Sequence, residues 1–227
     1  MMQENNLVVT RADSKIKEMT DLTHPIIKKF ADEWGADFSV LSHDPPFLTD
    51  DKLPHYRILK VKELLDTYDR VVVIDSDVVI NKNCPNLFEV VPKEKIGVIY
   101  EDKGSRRPAR HKVIKDIQKK FGDIGWKENY INDGVIVISR EHRIIFEPIN
   151  QQYWTGWGSD DGHFGYQINK HKIPVHELSF RFNHMSMFSE PWNNRADRRK
   201  SYILHYAGGK IKNRIHTIKQ DIRHIYG

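Results

Sequence analysis

One segment constrains this chain more than any other: Val71-Val72-Val73-Ile74-Asp75-Ser76-Asp77-Val78-Val79-Ile80, an apolar run interrupted by two carboxylates two positions apart. A β-branched run of this kind reads as a strand buried on both faces, in the middle of an α/β sheet. Burying one carboxylate there is costly, and two more so, unless a cation or hydrogen-bond donors compensate. The simplest solution ends the strand near Ile74 and points both acids into a cleft at its carboxyl end. Open α/β sheets place their ligands at that edge.

An Asp-x-Asp pair in that position suits a hard divalent cation. Mg2+ usually sits on one or two carboxylates and takes further oxygens from substrate phosphates. Asp75 and Asp77, with Ser76 between them, fit that pattern, the diphosphate of a nucleotide supplying the remaining oxygens. The cation would neutralise charge developing on a phosphate leaving group. The competing reading is a polar turn after a strand, capped by Asp, although turn acids rarely sit inside so apolar a run.

At 227 residues the chain is one domain, or a domain with a tail, and can bury a full core unaided. Its one cysteine, Cys84, permits no internal disulfide, which fits a reducing compartment. The first residues are polar and charged, unlike a signal peptide. No apolar run approaches the roughly 20 residues that span a bilayer. A cytoplasmic enzyme of bacterial or viral type is expected. The formal net charge of +5 invites a polyanion, but the surplus is modest and acids are plentiful. Basic residues gather at Arg106 to Lys112, at Arg195 to Lys200, and at Lys210, Lys212 and Arg214. The first two groups read as solvated faces. No zinc-finger spacing, Walker loop or G-x-G-x-x-G occurs, and nucleic acid is not an expected partner.

Strands are expected at Leu7–Thr10, Phe38–Leu41, Val71–Ile74, Ile96–Tyr100, Gly134–Ile138 and Ser201–Tyr206, with 173–178 extended. Helices are expected at 15–34, broken or restarted by Pro25, at 56–65, at 140–153 with an interruption at Pro148, and at 162–170. Cys84 to Phe88 reads as a short helix or turn. Residues 42–51 read as a loop, and 101–129 as mostly loop with a helical patch at 113–121. Ile211, Ile215, Ile218, Ile222 and Ile225 form one apolar stripe, so 211–227 is expected to be an amphipathic helix docked on a domain of residues 1–210. Strands alternating with helices predict an α/β layered domain.

Three more groups of residues carry chemistry. Asn132-Asp133-Gly134 supplies a tight turn, Gly tolerating positive φ, and its two polar side chains could also bond a polyhydroxylated ligand beside the metal. Trp154 to His163 combines aromatics, glycines and the paired acids Asp160 and Asp161. Aromatic faces stack on the C–H face of a sugar and carboxylates accept hydroxyl protons. One acid could position the substrate while the other, its pKa raised by its neighbour, acts as base. A helix N-terminus capped by one of these acids is the plainer alternative. Finally, His205-Tyr206-Ala207-Gly208-Gly209-Lys210 ends a strand in an imidazole suited to Mn2+. Glycines such as Gly208 then allow close backbone approach, and Lys210 could reach a phosphate.

These pieces, in this order, resemble the GT-A-fold glycosyltransferases of the glycogenin and lipopolysaccharide galactosyltransferase family. Tyr68 to Asp77 looks like its strand and Asp-x-Asp motif. Asn132-Asp133-Gly134-Val135 resembles its Asn-Ser-Gly-Val, with Asp133 replacing Ser. His205-Tyr206-Ala207-Gly208 followed by Lys210 resembles its His-Phe-x-Gly…Lys motif. The resemblance implies that His205 completes a metal site with Asp75 and Asp77 for Mn2+ or Mg2+, and that Lys210 holds the diphosphate. It implies that Thr10 and Asp13 meet the nucleoside, and that Arg57 and Lys60 lie near the donor sugar. Asp160-Asp161-Gly162 can be laid on the family's Asp-Gln-Gly. It also resembles the Trp-Gly-Gly-Glu-Asp segment of inverting galactosyl- and chondroitin-type transferases. The first implies retention of anomeric configuration, the second inversion.

The expected activity is therefore metal-dependent transfer of a hexose from a UDP-sugar to a carbohydrate or glycoconjugate acceptor. Asn132, Asp133 and Asp160 would contact the donor sugar and Asp161 the reacting centre. The rivals are a dehalogenase-type phosphatase with Asp75 as nucleophile, a module binding anionic polymers, and a nucleotidyltransferase using the same metal geometry.

Overall fold

The computed structural model describes residues 4–43 and 53–227. The strands are β1 (Asn6–Arg11), β2 (Asp37–Leu41), β3 (Arg70–Ile74), β4 (Val78–Ile80), β5 (Ile96–Tyr100), β6 (Ile131–Ser139), β7 (Val175–Glu177) and β8 (Ile203–His205). The α-helices are α1 (Lys17–Glu33), α2 (Leu53–Tyr56), α3 (Val61–Leu64), α4 (Leu87–Val90), α5 (Arg107–Phe121), α6 (Ser159–Lys170) and α7 (Ile211–Tyr226). Residues 44–51 of the expected loop lie outside the described residues.

Six strands form the central sheet in the order β2-β1-β3-β6-β5-β7. β1 runs parallel to β2 and β3, β6 runs antiparallel to β3 and β5, and β7 is parallel to β5. The expected α/β domain with a mixed sheet is therefore what forms. Period-two alternation sends Val72 and Ile74 to the face covered by Ile27 and Phe30 of α1, and Val71 and Val73 to the face that holds Phe164 of α6. Both faces are covered, which is why β3 is apolar at every position beyond Arg70.

The apolar run divides at its acids. β3 stops at Ile74, and β4 leaves the central sheet to pair with β8 in a separate two-stranded sheet. α7 lies over that ribbon: Ile215 and Ile218 pack with Met19, Val79, Leu204 and Tyr206. Asp221 anchors the helix by accepting hydrogen bonds from Arg198 at 2.8 Å, Arg199 at 3.0 Å and Tyr206 Oη at 2.9 Å.

Several expectations are corrected. α1 runs unbroken through Pro25, because Met19, Thr20 and Thr23 before it and Ile27, Phe30 and Ala31 after it bury the same face. That burial outweighs the loss of one intrahelical bond. The helix expected at 56–65 is instead α2, a 3-10 turn at Arg57–Lys60, and α3. The charged stretch after Tyr100 holds the fifteen-residue α5, whose Val113, Ile114 and Ile117 are buried under an otherwise charged surface. Arg140–Phe146 is a 3-10 helix. Asn132-Asp133-Gly134 is no turn: it lies inside β6, and Gly134 is not among the glycines with positive φ. Glycine is needed there for space, since a Cβ would stand 2.5 Å from His205 Cε1 and 2.9 Å from its Nδ1.

Candidate active site

A cavity of about 650 Å³ opens at the carboxyl ends of β1 and β3, beside the start of β6, the start of α6 and the end of β8. Two groups of acids face it.

The first is set by β3 and β8. Ending β3 at Ile74 presents Asp75 and Asp77, and the β4–β8 register places Val78 opposite His205. His205 Nε2 lies 3.3 Å from Asp77 and 3.7 Å from Asp75. Ligand atoms of the three residues fall within 4.8 Å of one another. The other imidazole nitrogen is committed: Nδ1 lies 2.7 Å from Asn183 Oδ1, and Asn183 donates in turn to Asn132 Oδ1 at 2.8 Å. Nδ1 is thus the protonated nitrogen of the neutral ring, and Nε2 keeps its lone pair for the cavity. Arg214 Nη1 donates to Asp77 at 2.7 Å, and Arg11 pairs with Asp75. Burial would push the Asp77 carboxyl up, but the charges of His205 and Arg214 outweigh it and hold it well below the usual range. Burial would likewise depress His205, yet Asp77 and Asp75 raise it.

The second group is Asp133, Asp160 and Asp161, whose carboxylates also lie within 4.8 Å of one another. Gly158 enters α6 in the left-handed conformation (φ 78°), and no side chain caps that terminus. The capping alternative for Asp160 or Asp161 is therefore excluded; both occupy the first turn, where the helix dipole favours negative charge. Asp161 Oδ1 accepts the Asp133 backbone N–H at 2.7 Å. Arg11, at the end of β1, reaches across with Nη1 2.5 Å from Asp160 and Nη2 3.7 Å from Asp133. Its guanidinium thereby joins the two groups of acids. Burial first, and then neighbouring acids, hold Asp133 and Asp161 well above the ordinary carboxyl range.

Most residues singled out in the sequence meet here. Asp13 and Arg57 pair at 3.3 Å on one side of the cavity, and Ser76, Asn132 and Gly208 line it. Three do not reach it. Thr10 is fully buried and bonds Ser76 Oγ at 3.0 Å, so it acts only through that hydroxyl. Lys60 is outside the lining, and so is Lys210, which is exposed at the start of α7; Arg214, one turn further on, faces the cavity instead. The two tryptophans also divide. Trp154 is buried against Gly156 and Gly162, whereas Trp157 is 57% exposed at the rim, with Arg110 stacked 4.4 Å from its ring. Arg11 and Asn183 were not singled out from the sequence, and Arg214 was noted only as a member of a basic group with Lys210 and Lys212. The available signal for Arg11 was a lone cation closing the apolar strand Leu7–Thr10.

The basic groups are largely spent on internal acids, Arg106 and Arg110 on Glu101 and Arg198 and Arg199 on Asp221. Among the described residues, no helix is long and apolar enough to cross a membrane.

The profile of glycosyl transferase family 8 matches residues 13–143. No curated protein sequence matches the chain. Among solved structures, a glycosyltransferase involved in glycosylation of the major capsid of PBCV-1 superposes with TM-score 0.64 at 14% identity, over 95% of this chain and 99% of that one. The galactosyltransferase LgtC, solved with donor and acceptor sugar analogs, gives 0.60 at 14% identity over 97% and 96%. The glycosyltransferase GlyE of Streptococcus pneumoniae TIGR4 gives 0.57 at 11% identity, over 98% of this chain and 64% of that one. These likenesses establish the GT-A fold. With the family profile spanning more than half of its length and both acid groups within one cleft, the chain belongs to glycosyl transferase family 8 and is a glycosyltransferase.

Proposed function

We propose that the protein transfers a hexose from a UDP-sugar to a carbohydrate hydroxyl in a cytoplasmic setting, using Mn2+ or Mg2+ held by Asp75, Asp77 and His205. The observation that carries this reading is the convergence of two carboxylates and the cavity-facing imidazole nitrogen of His205 within 4.8 Å at the end of β3. Two oxygens and one nitrogen suit Mn2+, with phosphate oxygens completing the shell. Bound there, the cation would supply Lewis-acid neutralisation of the departing diphosphate.

The chain's own groups do the rest. Arg214 provides a fixed positive charge beside Asp77 for the diphosphate, the role expected of Lys210. Asp13 faces the nucleoside end, and Arg57, its ion-pair partner, the donor sugar. Asp133 and Asp160 accept hydrogen bonds from sugar hydroxyls, and the Asn132 amide donates one. Asp161 stands at the reacting centre, and its raised pKa suits a group that takes up the proton of the acceptor hydroxyl. Trp157 offers its open face to the acceptor ring.

A thermal-shift titration tests the class. UDP with Mn2+ should stabilise the protein by about 2.7 kcal/mol at a hundredfold excess over Kd. UDP alone should do far less. An equal shift with and without metal, or none at all, removes the metal-bridged nucleotide.

Metal affinity should also rise with pH. His205 must lose its second proton to bind, and its folded pKa is raised, so protons compete with the cation up to that raised value. Calorimetry with MnCl2 from pH 6 to 8 should show affinity increasing by up to about tenfold per unit while His205 is protonated. A flat profile would mean that His205 is not a ligand.

A further inference from the structure

The second group of acids has less positive charge beside it than three carboxylates need. Asp133 and Asp160 are 3% and 4% exposed, and with Asp161 they line the cavity. Among the described residues, the ion pairs made to Asp133 and Asp160 come from Arg11, which serves Asp75 as well. Arg110 is taken by Glu101. Asp161 has a backbone N–H. Among the described residues, Asp133 Oδ2 is buried without any hydrogen-bond partner. A buried carboxylate oxygen left in that state is costly unless a ligand brings a donor to it.

Above the raised pKa values of Asp133 and Asp161 the three carboxylates are ionised and only accept hydrogen bonds. A group seated against all three must therefore bring O–H or N–H hydrogens, and it must not bring negative charge. Like charges forced together across an interface cost several kcal/mol and serve to reject the wrong partner. Under the UDP-sugar reading above, the group seated there is the donor sugar.

We propose that Asp133 and Asp161 select a donor sugar without a carboxylate: Asp133 Oδ2 takes a hydroxyl of a neutral hexose, and the cluster repels a uronic acid. The side chains do this through charge as well as shape. Neutral, nearly isosteric replacements should therefore weaken the discrimination while the nucleotide is held as before.

The experiment is a calorimetric comparison, with Mn2+ present, of UDP, UDP-glucose, UDP-galactose, UDP-glucuronate and UDP-galacturonate. Each uronate should bind at least about tenfold more weakly than its neutral parent. In Asp133→Asn and in Asp161→Asn the gap should narrow, with affinity for UDP itself serving as the reference for an intact fold. A uronate that binds the wild type as tightly as its parent overturns the inference. So does a gap that keeps its full size in both variants. If UDP with Mn2+ does not bind at all, the donor reading fails first and takes this one with it; if UDP binds and the sugars are not distinguished, this inference alone is lost.

Discussion

Asp77→Ala is expected to lower kcat/KM for transfer from a UDP-hexose by at least about a thousandfold, equivalent to about 4 kcal/mol of transition-state stabilisation. Three effects combine. One of two carboxylates disappears from the set facing His205. Arg214 loses the partner that aims it into the cleft. His205 loses the charge that now outweighs its burial. Asp75→Ala should behave alike, since Asp75 is the other carboxylate of the set and the anchor of Arg11. Raising Mn2+ should not restore wild-type activity to either variant, because a saturated site would still lack one carboxylate and its charge. Steady-state kinetics on variants with wild-type circular dichroism measures this, and activity within tenfold of wild type in both would refute the metal assignment.

Arg11→Ala should cost about 3–5 kcal/mol of stability at pH 7, the usual result of removing one partner from a buried ion pair. Here the abandoned charges are Asp160, Asp75 and, at longer range, Asp133. The loss should depend on pH in a definite sense. Asp133 and Asp161 titrate above their ordinary range in the folded protein, so the native state holds protons that the unfolded chain has released. Their contribution is fully present below the unfolded carboxyl pKa of about 4 and is lost as pH rises through the raised values. Without Arg11 the Asp133 value rises further, and protonation relieves more of the repulsion. Urea unfolding should therefore show a smaller deficit at pH 5 than at pH 7. Asp77, lowered by His205 and Arg214 against its burial, loses its contribution at acid pH in both proteins and cancels from the comparison. A deficit below about 1 kcal/mol, the scale of an exposed pair, would show that Arg11 is not the counter-ion described here.

The parts of this site that were legible in the sequence are those in which one residue contradicts its neighbours. Asp75 and Asp77 stand out because carboxylates do not belong in a strand buried on both faces, and His205 because it ends a similar strand. What stayed hidden depends on contacts distant in sequence or on helical phase. Arg11 looks like an ordinary end to a strand until residues 64 and 149 positions away arrive beside it. Lys210 and Arg214 differ by one turn: the chain extends at Lys210 before α7 begins, so only the later cation swings toward Asp77. Asn132-Asp133-Gly134 has the composition of a turn, and nothing local reveals that Gly134 is small because His205 crosses it. Of α5 only the patch at 113–121 was legible; its first turns were hidden by their charges, since the apolar positions that seat the helix come later.

Arg214 belongs to α7, so the docking of the final helix and the charge balance of the cleft are a single property. A purification tag or fusion partner that tugs on the helix, or a protease cut between Tyr206 and Arg214, would be felt at Asp77, although every strand of the central sheet stays where it is. For anyone preparing this protein, that favours attaching handles at the amino end.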